Sequence, residues 1–368
     1  MKKYSELKKT LFMALTFLCC FVLSLTLLTN TGLHAKVARA EATESETTQL
    51  RYGDGSVYNG ETIDSTIRNG TGTYIWSTGE SESDNASYEG QWVNNTMTGF
   101  GELVLPGIGV YKGDFLNNKR QGKGSFIWTY EGEPATGSPV SFEGDWDNDK
   151  IGAQGTLVIA GLGTYVGSFC KQQRSGSGTF TWNDGSIYEG DWTNDQINGD
   201  GTYTLPDGTI LKGKFQKGTL FKGTVTYAVE NGTAIRNITA GKAQPDVRVT
   251  YNDGTILEGK TKAADFIGNV TVTYSNGDQY VGTIQNGLKH GKGTYTWRSG
   301  AHYKGEWRDD LMSGSGKYYY GKSEKDTYLT GNFLNGKPEG TLTYVAENKL
   351  KYKTIWKNGS VTSITYMK

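Results

Sequence analysis

From residue 51 onward, apolar and polar positions alternate in short runs separated by glycine, asparagine and aspartate. In Gly178-Thr179-Phe180-Thr181-Trp182, a period of two puts Phe180 and Trp182 on one face and both threonines on the other. Asn183-Asp184-Gly185 then supplies turn chemistry that tolerates positive φ. In the returning segment Tyr188, Gly190 and Trp192 share a face, while Glu189 and Asp191 point away. The pattern predicts a β-hairpin with one aromatic and one polar side. A glycine inside a strand weakens it unless something must pass close over the backbone. The predicted occupant is an aromatic ring from a neighbouring hairpin.

The same hairpin recurs. Its aromatic-x-Gly-x-aromatic core is clearest at Tyr88-Gly90-Trp92, Gly113 (Tyr111 to Phe115), Gly144-Trp146, Gly167, Tyr188-Gly190-Trp192 and Tyr303-Gly305-Trp307. Weaker copies centre on Gly60, Gly213, Gly259, Gly282 and Gly331, and Thr354 takes the glycine place in the last. Most centres lie 23 residues apart. One gap of two periods predicts a degenerate repeat within residues 224–250, whose register the sequence leaves open. Between the cores comes Gly-x-Gly followed by alternating aromatics, as in Gly122 to Trp128, Gly176 to Trp182 and Gly291 to Trp297. This pairing resembles the MORN (membrane occupation and recognition nexus) repeat family, with 12–13 repeats over residues 51–368. The residues above read as the structural core of the repeat rather than as ligand contacts.

The expected fold is all-β: consecutive hairpins in an elongated, curled, single antiparallel sheet. At about 10 Å per hairpin, thirteen would extend about 120 Å. An isolated hairpin is marginal in water, so neighbours must stabilise one another. No segment after residue 40 has the period of an amphipathic helix. The aromatic face must therefore curl on itself, pair with another copy, or meet a ligand.

The N-terminus differs in kind. Lys2, Lys3, Lys8 and Lys9 precede an uncharged, mainly apolar run from Leu11 to Leu28, and Ala38-Arg39-Ala40 follows. This predicts one hydrophobic helix over that run. Residues 1–40 read as a signal peptide cleaved after Ala40, or as a retained N-terminal membrane anchor, with 41–50 as a linker. Either reading exports the repeats and leaves an uncleaved N-terminus cytoplasmic. With the leader set aside, 32 positive and 37 negative side chains leave the body mildly acidic, which argues against nucleic acid as a partner.

Candidate chemistry is sparse. Cys170 is the body's single thiol, a small residue placed just after a strand. His290 falls in an inter-repeat turn and His302 takes the place of Ile187, so neither has a nucleophile assigned to it. Asp145, Asp147 and Asp149 alternate like the start of a calcium loop, but Lys150 stands where glycine belongs and Thr156 where a bidentate glutamate should be. No catalytic residue, metal ligand or cofactor site follows. Three hairpin tips are lengthened: Ser77–Ser87, Thr129–Ser141 and Gly321–Thr327. All lie on one edge, which suggests a recognition side, although exposed tips also tolerate length for its own sake.

The expected function is a non-enzymatic scaffold at the cell envelope. The resemblance implies membrane association, organisation and protein contact. Its partners would be another protein, a second copy, anionic lipid or a cell-surface polymer. A carbohydrate-binding protein using the spaced Tyr and Trp rings is the alternative. A hydrolase with its site in a tip insertion is a minor one.

Overall fold

The computed structural model describes residues 47–79, 84–262, 267–325 and 327–368. The expected leader helix lies outside them. The described residues form 28 β-strands and no α-helix. They divide into two compact units: residues up to Pro206 with Phe215–Gly218, and Asp207–Lys214 with Thr219–Lys368. In the first, thirteen strands run from Thr47–Arg51 to Gln196–Thr204, and each pairs antiparallel with the strands before and after it in the chain. In the second, the strands from Thr219–Val229 to Ser360–Met367 pair in the same sequential way, except that Tyr328–Leu334 takes both Lys337–Pro338 and Gly340–Val345 along one edge. Strand Thr47–Arg51 begins inside the segment read as a linker, because its residues pair antiparallel with Val57 to Glu61 of strand Val57–Ile63.

Two turn chemistries alternate along the chain. Inter-repeat turns are two residues long with both φ values positive, as at Asn94-Asn95, Asn117-Asn118, Asn194-Asp195 and Asp309-Asp310. These match the twist of the flanking strands and favour Asn, Asp and Gly. Tip turns close differently. Asp184 Oδ1 accepts the Ser186 N–H at 2.8 Å, Gly185 adopts φ +89°, and Trp182 N–H donates to Ser186 O at 2.9 Å. Asp54, Asp207 and Asp253 repeat the same side-chain bond two residues on.

The two glycines of Gly-x-Gly have separate tasks. Gly176 takes φ +88°, where the ladder with the preceding strand Gly163–Cys170 shifts register. Gly178 lies flat between Gly167 and Gly190, one link in a row of glycines that continues across the first unit. Over this row lie the tyrosine rings. A Cβ on Gly201 would sit 2.6 Å from Cζ and 2.7 Å from Cε2 of Tyr188. The same ring reaches Gly190, where a Cβ would lie 2.6 Å from the Tyr188 hydroxyl, so Gly190 is covered by the tyrosine two before it on its own strand and Gly201 from the neighbouring hairpin. Side chains at i and i+2 share a face, so the nearest ring fills the gap first.

Each tyrosine also closes the bulge beside it. Tyr58, Tyr88, Tyr111, Tyr165, Tyr188, Tyr280 and Tyr303 donate to the carbonyl three residues on, at 2.7–3.1 Å. The register shift after the strand glycine leaves that carbonyl unpaired in the ladder, and the phenol supplies its partner.

The degenerate repeat acquires a register. Strand Gly232–Thr239 puts Ala234 in the tyrosine place, Arg236 in the glycine place and Ile238 in the tryptophan place; Val247 stands opposite Arg236. With no ring over the backbone, side chains can replace the glycines. Leu257 faces Val272 and lies near Val270, and Leu329 is followed by Leu342, in the same manner. The core of the second unit is consequently part aliphatic (Ala234, Val247, Val249, Leu257, Val270) and part aromatic (Tyr280, Tyr303, Trp307).

Candidate binding surfaces

Tyr88, Tyr188 and Tyr303 are fully buried, and Trp92, Trp146, Trp192 and Trp307 nearly so. Gly90, Gly113, Gly144, Gly167 and Gly190 stand in the glycine row of the first unit; Gly282 and Gly305 stand in that of the second. In the first unit the rings join edge to face in one chain: Tyr58, Trp92, Tyr88, Phe115, Tyr111, Trp146, Phe142, Phe169, Tyr165, Trp192, Tyr188 and Phe215. Centroid separations of 4.9–5.6 Å suit the favourable quadrupole geometry. These rings serve one another.

A contact that the sequence reading missed alternates along this chain. Arg68, Arg120 and Arg174 lie over the Trp92, Trp146 and Trp192 rings at 4.4, 4.6 and 4.6 Å. Each guanidinium also bonds the turn residue just beyond, Asn95, Asp149 or Asp195. Repeats without an arginine carry Met97, Ile151 or Ile197 at that position, and the next ring is Phe115, Phe169 or Phe215. The tip-side residues alternate in step: Trp76, Leu105, Trp128, Ile159, Trp182, Leu205. The structural period of the first unit is therefore two hairpins. The signal was present as an Arg followed 18–26 residues later by a Trp in every second repeat, hidden by the stronger one-hairpin repeat.

The acids considered for calcium are already engaged. Asp145 pairs with Lys123, and Asp149 with Arg120. His290 Nδ1 lies 3.5 Å from Asp309 Oδ1. Cys170 is exposed and is the last residue of its strand rather than the one after it. No cluster of three or more His, Cys, Asp or Glu suited to a metal occurs among the described residues.

What the hairpins leave free is the tip edge and the polar face. Trp76, Trp128, Trp182 and Trp297 at the tips are half-buried. The second lengthened tip is shorter than expected, because Pro139–Asp147 already forms a strand opposite Ile159. Tyr130 OH donates to Pro139 O at 2.6 Å across its base. The third, around Gly321–Lys325, folds toward the polar face, where Glu324 Oε1 meets Lys304 Nζ at 3.0 Å. Lys304 holds the Glu324 carboxyl below its usual range, with His302 and Lys317 adding to the effect. Beside this tip is a groove of about 620 Å³, lined by Gln279, Thr296, Trp297, Arg298, His302 and Lys322 among others.

Stacked hairpins with one self-packed aromatic face define a β-hairpin repeat protein. Eight of its segments are MORN repeats: the family model described as MORN repeat matches residues 67–81, 88–107, 111–129, 142–160, 165–187, 188–210, 280–302 and 303–324. No curated protein matches the chain. Among 72 matching solved chains is the TCP domain of SAS-4 (dCPAP) from Drosophila melanogaster, solved in complex with a proline-rich motif of Ana2 (dSTIL). It is 15% identical, with 51% of this chain and 88% of that one covered, at a TM-score of 0.23.

Proposed function

We propose that the chain is an exported, non-enzymatic scaffold at the cell envelope that binds a protein partner, a second copy or anionic lipid. The observation that carries this is the use of the aromatic face for internal packing. With Tyr88, Trp92, Tyr188 and Trp192 buried against one another, the surface offered outward is the polar face and the tip edge. Such a surface suits recognition of a macromolecule more than enclosure of a reacting group. The eight MORN segments support a binding role. The basic, apolar leader supports export.

The chain lacking residues 1–40 is expected to capture a protein from envelope extracts, to self-associate, or to float with vesicles containing anionic lipid. Empty results in all three assays would sink the scaffold reading. N-terminal sequencing of the mature protein should find Glu41 first if the leader is removed. The surface-polymer alternative draws on the tip aromatics alone. Its test belongs at the half-buried Trp128 and Trp182, since Trp192 is buried and its loss would disturb the fold.

A further inference from the structure

The groove in the second unit has features that the repeat does not need. Arg298 and Lys322 come from successive tips, and each lays its aliphatic stem on the glycine of the tip before it. A Cβ on Gly277 would meet Arg298 Cδ at 3.4 Å, and one on Gly300 would meet Lys322 Cε at 2.9 Å. The stems are thus seated, while neither cationic head has a carboxylate partner among the described residues. The neighbouring charges are already matched: Lys304 pairs with Glu324 at 3.0 Å, and Lys317 Nζ sits 3.8 Å from the Tyr328 ring centroid. The tip itself is held rigid from below. Asp278, 7% exposed, accepts the Tyr295 hydroxyl at 2.7 Å and the Arg298 N–H at 2.8 Å.

The floor is polar and ordered. His302 is 7% exposed, stacked on Tyr319 at 4.3 Å and 13°, with Nδ1 3.4 Å from Gly300 O. Its Nε2 has no partner among the described residues. Thr296 is the cross-strand partner of both Gln279 and His302, so an amide, a hydroxyl and an imidazole line up across three strands. Trp297 adds an aromatic surface at the edge. A volume of about 620 Å³ lies within the range of small-molecule sites, about 300–1,000 Å³. Two unmatched cations call for an anion, and a row of neutral donors and acceptors beside an indole calls for hydroxyls on a ring.

We propose that this groove binds a sugar carrying a carboxylate or phosphate, free or at the end of a polymer, with Arg298 and Lys322 on the anion and Gln279, Thr296 and His302 on the hydroxyls. This goes beyond the scaffold reading and does not depend on it.

Titration calorimetry on the full-length chain tests it with glucuronate, glucose 6-phosphate and the polyuronate alginate, against glucose and inorganic phosphate. At least one of the three anionic sugars should bind about tenfold more tightly than either control, the factor equal to one good charged contact. Tighter binding of alginate than of glucuronate would assign the site to a chain; equal binding per terminal residue would assign it to a free sugar. R298A and K322A should each weaken binding about tenfold, while K150A, in the first unit, should leave it unchanged. R298K and K322R should retain most of the affinity, which separates loss of charge from loss of fold. Binding of inorganic phosphate as tight as any sugar, no binding at all, or binding indifferent to both alanine variants would overturn the proposal.

Discussion

At the scale of single residues, the fold rests on a complementarity between ring and glycine. Tyr188 occupies the space where a side chain at Gly201 would project. The degenerate repeat shows the other solution, Ala234 with Val247 in the corresponding places. Gly201→Val should therefore destabilise by about 3 kcal/mol, the upper part of the overpacking range. Tyr188→Ala should cost about 4 kcal/mol through the cavity it leaves and the lost bond to Asp191 O. Combined, the two should cost at least 2 kcal/mol less than their sum, since each relieves the other's defect. Urea titrations of the four proteins give the cycle; strict additivity would show that ring and glycine are not in competition. The ring–glycine pairing was legible in the sequence as Tyr-x-Gly, but the identity of the covering ring was not. Sequence spacing shows that a strand glycine must be covered, and only the register shows which of several nearby rings reaches it.

At the scale of the hairpin, the inter-repeat turns are the points of local strain. Lys171 and Gln172 adopt φ of 51° and 65°, in a turn where most other repeats place Asn, Asp or Gly. A non-glycine residue in the left-handed region is disfavoured by about 1 kcal/mol. Replacing the pair with Asn-Gly should stabilise the chain by about 1 kcal/mol and raise its melting temperature, as differential scanning calorimetry would record. An unchanged or lowered melting temperature would mean that the two side chains make contributions beyond the turn. The hairpins themselves were readable from period-two alternation and turn residues, down to the strand pairing of Phe180 with Tyr188. The arginine clamps were not. Arg174 touches Trp192 and Asp195 only because the returning strand of its own hairpin runs back alongside it, and no local pattern marks that approach.

Across the whole molecule, burial of tyrosine makes stability depend on alkaline pH. Burial pushes the Tyr58, Tyr88, Tyr165, Tyr188 and Tyr303 hydroxyls up to about 12, and raises those of Tyr280 and Tyr295 further. In the unfolded chain a tyrosine titrates near 10. Because the folded values are the higher ones, the folded state holds the protons more tightly. This contribution is complete below about pH 10 and is lost as pH rises toward 12. Thermal midpoints should fall steeply across that window in both units, together with a late rise in tyrosinate absorbance. A constant midpoint there would mean that the phenols titrate as if exposed.

The sequence alone determined the hairpin, its period and its two-faced character, because each follows from alternation, turn chemistry and recurrence, all of which act over a few residues. It also determined the mildly acidic charge of residues 41–368 and the basic, apolar character of the N-terminal stretch. Tertiary structure decided what distant residues do to one another. It set the register of the degenerate repeat, where the absence of a ring allows Arg236 and Val247 to replace glycines. It set the two-hairpin alternation of arginine and tryptophan, and it placed Arg298, His302 and Lys322 around one groove. Those arrangements depend on how successive hairpins pack, and packing is fixed by shape across strands rather than by the spacing of residues along them.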